Sequence, residues 1–132
     1  ELTDVIECDP PANMNAVVVS ENMKKYILNV GIRSEAFLAN DDISACEAIS
    51  ALRMHGFSVP DDIAIAGFDN SLLAREMNPK LTALAQPLEL IGKKAVEVLL
   101  DQINYHTQPQ MYEMESRVVI RESTVNWNIH GS

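Results

Sequence analysis

Between Ala36 and Gln86 two short apolar runs, each closed by acidic and amide residues, flank one amphipathic segment. The first run is Ala36-Phe37-Leu38-Ala39, stopped by Asn40-Asp41-Asp42; the second is Ile63-Ala64-Ile65-Ala66, stopped by Gly67-Phe68-Asp69-Asn70. Apolar runs this short suit parallel strands buried on both faces between layers of helix. Between them Ile43, Cys46, Ile49 and Leu52 recur at helical spacing and predict one apolar stripe. Asp41 or Asp42 can cap that helix, since a carboxyl oxygen accepts from the free N–H groups of the first turn, and Gly56 ends it.

The pattern extends to both sides. Asp4-Val5-Ile6-Glu7-Cys8 reads as a strand stopped by Asp9-Pro10-Pro11. Val19, Met23, Tyr26, Ile27 and Val30 predict a helix over about 14–29 with Gly31 as its stop, while Val17-Val18-Val19 as a short strand is the alternative. After a loop over Phe57 to Asp61 and the strand from Ile63, Ser71 to Lys80 holds Pro79 and no sustained period. It predicts one short helical turn and an extended crossing. Leu81 to Ala85 is a strand, and Pro87 suits the first position of a helix, where its missing N–H costs nothing. Leu88, Ile91, Ala95, Leu99 and Ile103 carry that helix to about Asn104. His106 to Gln110 is a loop, Arg117 to Ile120 a last strand, and 126–132 a frayed tail. Strands alternating with helices predict an α/β domain, a mainly parallel sheet with helices on both faces.

Composition narrows the functions. A chain of 132 residues, 47% apolar and 22% charged, makes one globular domain with one core. Ten Lys and Arg against nineteen Asp and Glu leave a net charge of −9, and no basic cluster exceeds Lys24-Lys25 or Lys93-Lys94. Such a surface is unsuited to gripping phosphates, which argues against direct nucleic-acid binding by this chain. No apolar run approaches the roughly 18 residues of a membrane span, and the start shows no basic region followed by an apolar one, so the chain reads as soluble, with either no export signal or one already removed, and no membrane partner is expected. Cys8 and Cys46 read as reduced, buried thiols, with a disulfide left open by spacing alone. His55, His106 and His130 stand at no metal-ligand interval, and neither a metal nor a cofactor is expected. Asp41-Asp42 and Asp61-Asp62 could suggest paired carboxylates for hydrolysis, but they lie at opposite ends of the strands. Without a phosphate loop or a nucleophile triad, the chain is not expected to be an enzyme.

Strands that end in Asn and Asp point elsewhere, because ligands of open α/β sheets bind beyond the carboxyl ends of parallel strands. Several stretches then resemble one family in its own order and intervals across Glu35 to Thr124. They are Phe37-Leu38-Ala39-Asn40-Asp41-Asp42, Ala48-Ile49-Ser50-Ala51-Leu52-Arg53-Met54-His55-Gly56, Val59-Pro60-Asp61-Asp62-Ile63, Gly67-Phe68-Asp69-Asn70, Leu81-Thr82-Ala83-Leu84-Ala85-Gln86-Pro87, Ile91-Gly92 and Val119-Ile120-Arg121-Glu122-Ser123-Thr124. The chain resembles the ligand-sensing domain of lactose/galactose-type (LacI/GalR) transcriptional regulators, itself similar to periplasmic sugar-binding proteins. No helix-turn-helix segment opens the chain, and nothing corresponds to the family's N-terminal lobe or to the first strand and helix of its C-terminal lobe. The resemblance therefore implies part of the C-terminal lobe, residues 1–124 with a tail over 125–132, of a longer cytoplasmic regulator.

The resemblance also assigns roles. It implies that Asn40 and Asp69 hydrogen-bond ligand hydroxyls, against the plainer reading that they close turns and cap helices. Gln86 is either a cleft-facing amide or a hinge residue before Pro87, and Leu88 stands where the family often carries an aromatic ring. Phe68 is either a sugar-stacking ring or core. Ile43, Leu72, Leu73 and Met77 fall where the family places its dimer contact, although Leu72 and Leu73 could pack beneath their own loop. The implied partners are a small-molecule effector with the hydroxyl groups of a sugar, a second copy of the chain, and DNA only through a separate head. A periplasmic sugar-binding component, or the sensor half of a signalling protein, has the same fold and is the rival.

Overall fold

In the computed structural model, which describes residues 24–26 and 34–125, one sheet joins β1 (Ala36–Leu38), β2 (Ala64–Phe68), β3 (Thr82–Ala85) and β4 (Arg117–Val119) side by side in that order. β1, β2 and β3 run parallel, and β4 pairs antiparallel with β3. The connections are α1 (Asp42–Met54), α2 (Leu72–Glu76) and α3 (Leu88–Tyr105). A mainly parallel α/β sheet is what the alternation of strand and helix signals predicts. The predicted strand over Asp4 to Cys8 and the tail over 126–132, with His130, lie outside the described residues. Of the predicted helix over 14–29, only Lys24 to Tyr26 are described, and they are helical.

The core forms where α1 closes on β2. Ala45, Ala48, Ile49, Ala51 and Leu52 of the helix meet Ile63, Ile65, Leu81 and Ala83, with Ala74 of α2 beside them. Alanine at three positions lets the helix axis approach the sheet closely, and Ile49 and Leu52 fill the space between. This corrects the expected stripe. Ile43 is 56% exposed and Cys46 only half-buried, because the inward face is rotated by one residue toward Ala45 and Ala48. Asp41, not Asp42, is the N-cap: its Oδ1 accepts from the Ser44 amide at 2.6 Å. Asp42 is the first residue of the helix and is buried.

Two further expectations change. The apolar run of β1 predicts cover on both faces, yet Ala36 and Leu38 are exposed, since they share one face of the strand and only the other, that of Phe37, packs on the core. Phe37 is its inward contact, packed on the core and edge-on to Tyr26 with ring centroids 5.8 Å apart. α3 keeps the predicted period but begins at Leu88, with Pro87 as N-cap, and no residue of it is buried. Its apolar stripe, Leu88, Ile91, Ala95, Leu99 and Ile103, is exposed along its length.

The chain end straps the sheet. After β4 it crosses beneath β3, and Ser123, fully buried, enters between the starts of β2 and β3. The Ile65 amide donates to the Ser123 carbonyl at 3.1 Å, and the Ser123 amide donates to the Lys80 carbonyl at 2.9 Å. Its hydroxyl donates to the Ile65 carbonyl at 2.6 Å and accepts from the Thr82 amide at 2.8 Å. Four bonds on one residue replace the ladder that two separating strands cannot make.

Candidate functional site

The parallel strands deliver their carboxyl ends to one rim. In register, Leu38 lies opposite Ala66, and Phe68 lies opposite Leu84, so β1, β2 and β3 all run out toward the edge that carries Asn40, Asp69 and Gln86. The Asp69 amide extends the β2 and β3 ladder by one bond, donating to the Leu84 carbonyl at 3.0 Å. The chain then turns sharply, with φ of 111° at Asp69 and 57° at Asn70. Side chains other than Asn and Asp rarely accept such angles, which explains the residue types in physical terms. Phe68, half-buried, closes β2 beneath this turn.

The turn brings Asp69 and Gln86 together. Gln86 Nε2 donates to Asp69 Oδ1 at 2.8 Å, joining the ends of β2 and β3. That bond leaves Asp69 Oδ2 and Gln86 Oε1 as acceptors and the second amide hydrogen as a donor, a set that matches a molecule bearing several hydroxyls. Asn40 stands on the same rim, exposed, and its side-chain amide makes no hydrogen bond to the described residues. Behind the rim the support is extensive. Arg121 donates to the Leu81 carbonyl at 2.6 Å through Nη1 and to Asn70 Oδ1 through Nη2. Arg75 Nη2 donates to the Asn70 carbonyl at 3.2 Å, and the Ser71 amide donates to Asp42 Oδ2 at 2.6 Å. Sequence patterning alone assigns no role to Asn70, Arg121 or Ser71. An arginine closing an apolar strand is the signal it offers.

The remaining candidates stay apart from the rim. Asp62 Oδ2 accepts from the Ser58 amide at 2.7 Å, so that carboxyl closes a turn ahead of β2, and His55 Nδ1 bonds the Ala51 carbonyl at 2.8 Å. Among the described residues no group of three or more His, Cys, Asp or Glu is placed to hold a metal ion. Burial pushes the Cys46 thiol above its ordinary pKa, and the neighbouring Glu47 adds to the rise. Leu72 is 71% exposed and Leu73 lies at the margin of exposure, while Met77 packs partly against the core. An open groove of about 710 Å³ runs between α3 and the segment 110–116, lined by Gln86, Ile91, Val98, Leu99, Tyr112 and Met114 among others. No helix of the described residues is long and apolar enough to cross a membrane.

Comparison with known proteins gives these features a family. The profile of the periplasmic binding protein-like domain matches residues 4–124. The HTH-type transcriptional repressor PurR of Aliivibrio salmonicida is 38% identical over 105 residues, which cover 79% of this chain and 31% of the repressor. The chain thus spans about a third of the length of that relative. Among solved structures, the transcriptional regulator CelR in complex with cellobiose superposes with a TM-score of 0.76 at 28% identity, covering 84% of this chain and 34% of that one. The dimeric Lac repressor with an 11-residue C-terminal deletion gives a TM-score of 0.74 at 26% identity, covering 85% of this chain and 41% of that one.

Proposed function

Since the chain belongs to the periplasmic binding protein-like domain family, in its LacI-type regulator branch, we propose that residues 1–124 form part of the C-terminal lobe of a sugar-sensing domain in a transcriptional repressor. The observation that carries the reading is the rim of Asn40, Asp69 and Gln86 at the ends of three parallel strands, with Asp69 and Gln86 already joined. Sugar is the favoured effector because these groups both donate and accept at close spacing, and because the CelR relative was solved with cellobiose. The exposed apolar stripe of α3 suits a face that meets a second lobe, so that effector held between lobes favours one lobe orientation. Ile43, Leu72 and Leu73, all exposed, suit a twofold contact like that of a dimeric repressor, through which the shift reaches DNA-binding heads outside this chain.

Asp69→Ala in the full-length protein tests the site. Calorimetric titration with cellobiose, lactose and ribose identifies a sugar that the wild type binds, and the variant is titrated with it. Removing a hydrogen bond to a charged group costs about 1.5–3 kcal/mol, so affinity falls roughly tenfold to a hundredfold. Unchanged affinity in a folded variant removes Asp69 from the site.

A further inference from the structure

Asp42 is buried to 2% exposure at the first position of α1, although a carboxyl group is expensive to bury and another residue, Asp41, already caps the helix. Its Oδ2 accepts from the Ser71 amide at 2.6 Å, across 29 residues of chain, whereas Oδ1 has no hydrogen-bond partner among the described residues. Ser71 directly follows the strained turn at Asp69 and Asn70. Space for the carboxyl group comes from Gly67. A Cβ there would stand 2.6 Å from Asp42 Oδ1 and 2.6 Å from Leu81 Cδ2, closer than side chains pack. Gly67 carries no left-handed angle, unlike Gly56, so the close approach of Asp42 and Leu81 explains the glycine.

We propose that Asp42 is the positioning residue of the effector turn: its buried carboxyl group, admitted by Gly67, holds the Ser71 amide and thereby fixes the backbone that aims Asp69. This rests on the reading of Asp69 as an effector contact. The other restraints act elsewhere on the turn. Arg121 and Arg75 hold Asn70 from exposed or partly exposed positions, and Gln86 holds the Asp69 side chain. Among the hydrogen bonds of the described residues only that of Asp42 ties the exit of the turn to α1, so it joins the effector rim to the helix that carries Ile43. An aliphatic residue would fill the same volume without the desolvation cost, and would leave the Ser71 N–H without this acceptor.

Amide hydrogen exchange on the full chain tests the proposal without a ligand. In D42A the Ser71 amide exchanges about tenfold faster or more, relative to the core amides of Ile65 and Ala83, because a hydrogen bond to a buried acceptor is lost. D42N keeps an accepting oxygen and restores most of the protection. G67A keeps the carboxyl group but displaces it, and loosens Ser71 in the same way; if D42A fails to fold, this variant alone decides. In D42A/G67A the two effects do not add, since both remove the same bond. Titration with the sugar bound by the wild type shows weaker binding by D42A and recovery in D42N. The proposal is overturned if Ser71 speeds up no more than Ile65 in D42A, if D42N behaves as D42A, or if G67A leaves Ser71 protected. A wild type that binds none of the three sugars refutes the sugar reading, while the exchange ratios still decide the role of Asp42.

Discussion

Ser123→Ala removes one oxygen atom from the centre of the sheet and leaves two main-chain groups without their partner. The hydroxyl accepts from the Thr82 amide and donates to the Ile65 carbonyl, and the residue is fully buried, so water cannot replace it. An unsatisfied buried N–H costs about 1–3 kcal/mol, and the lost bond to the carbonyl about 0.5–1.5 kcal/mol more. The carbonyl is penalised less than the amide because oxygen tolerates partial satisfaction. The main-chain bonds of Ser123 to Ile65 and Lys80 remain, so the strap stays in register and the effect is one of stability. The expected loss is therefore about 2–4 kcal/mol. With a urea slope of about 2 kcal/mol/M, the unfolding midpoint moves down by roughly 1–2 M. Circular dichroism in urea measures it, with exposed Ser50→Ala as the control, expected to stay within about 0.5 kcal/mol. A loss below about 0.5 kcal/mol for Ser123→Ala, with an unchanged slope, refutes the claim that the hydroxyl bridges β2 and β3.

Two other expectations follow from exposure and burial. Leu72→Asp places a charge on a side chain that is 71% exposed and touches little of its own core; if Leu72 lies at the twofold contact, like charges meet across the axis and the dimer dissociation constant of the full-length protein rises by about a hundredfold or more. Sedimentation decides it, and a dimer that persists at the same concentration removes this face from the contact. Met77 is the poorer probe, since it packs partly on the core and a charge there would also disturb that packing. The Cys46 thiol has a raised pKa from burial first and Glu47 second, so in a Cys8→Ser chain iodoacetamide at about pH 8, just below the ordinary thiol pKa, alkylates Cys46 more slowly in the folded than in the urea-unfolded state. Because the folded value lies above the unfolded one, the stability linked to this thiol is complete below the unfolded pKa and falls as pH rises through the folded value. Equal alkylation rates in the folded and unfolded states refute the burial argument.

Local patterning determined the order of elements and the residue types at the rim. Apolar runs closed by Asn and Asp located the ends of β1 and β2, the helical period located α1 and α3, and Gly56 and Pro87 located boundaries, because such signals act within a few residues of chain. The positions of Asn40 and Asp69 just beyond parallel strands were legible for the same reason, since strand ends can be read from sequence. Periodicity could not say which side of α1 turns inward, since Ile43 and Cys46 fit the spacing as well as Ala45 and Ala48 do. Close packing on β2 selected the alanines. Nor could it separate Asp41 from Asp42, two adjacent carboxyls of which one caps the helix and the other is buried beneath the turn at Asp69. The bonds that decide these questions join residues far apart in the chain: Gln86 to Asp69 across 17 positions, Ser71 to Asp42 across 29 and Ser123 to Ile65 across 58. Each depends on sheet register and helix approach, which exist only once distant segments have packed, and no short window of sequence contains both partners.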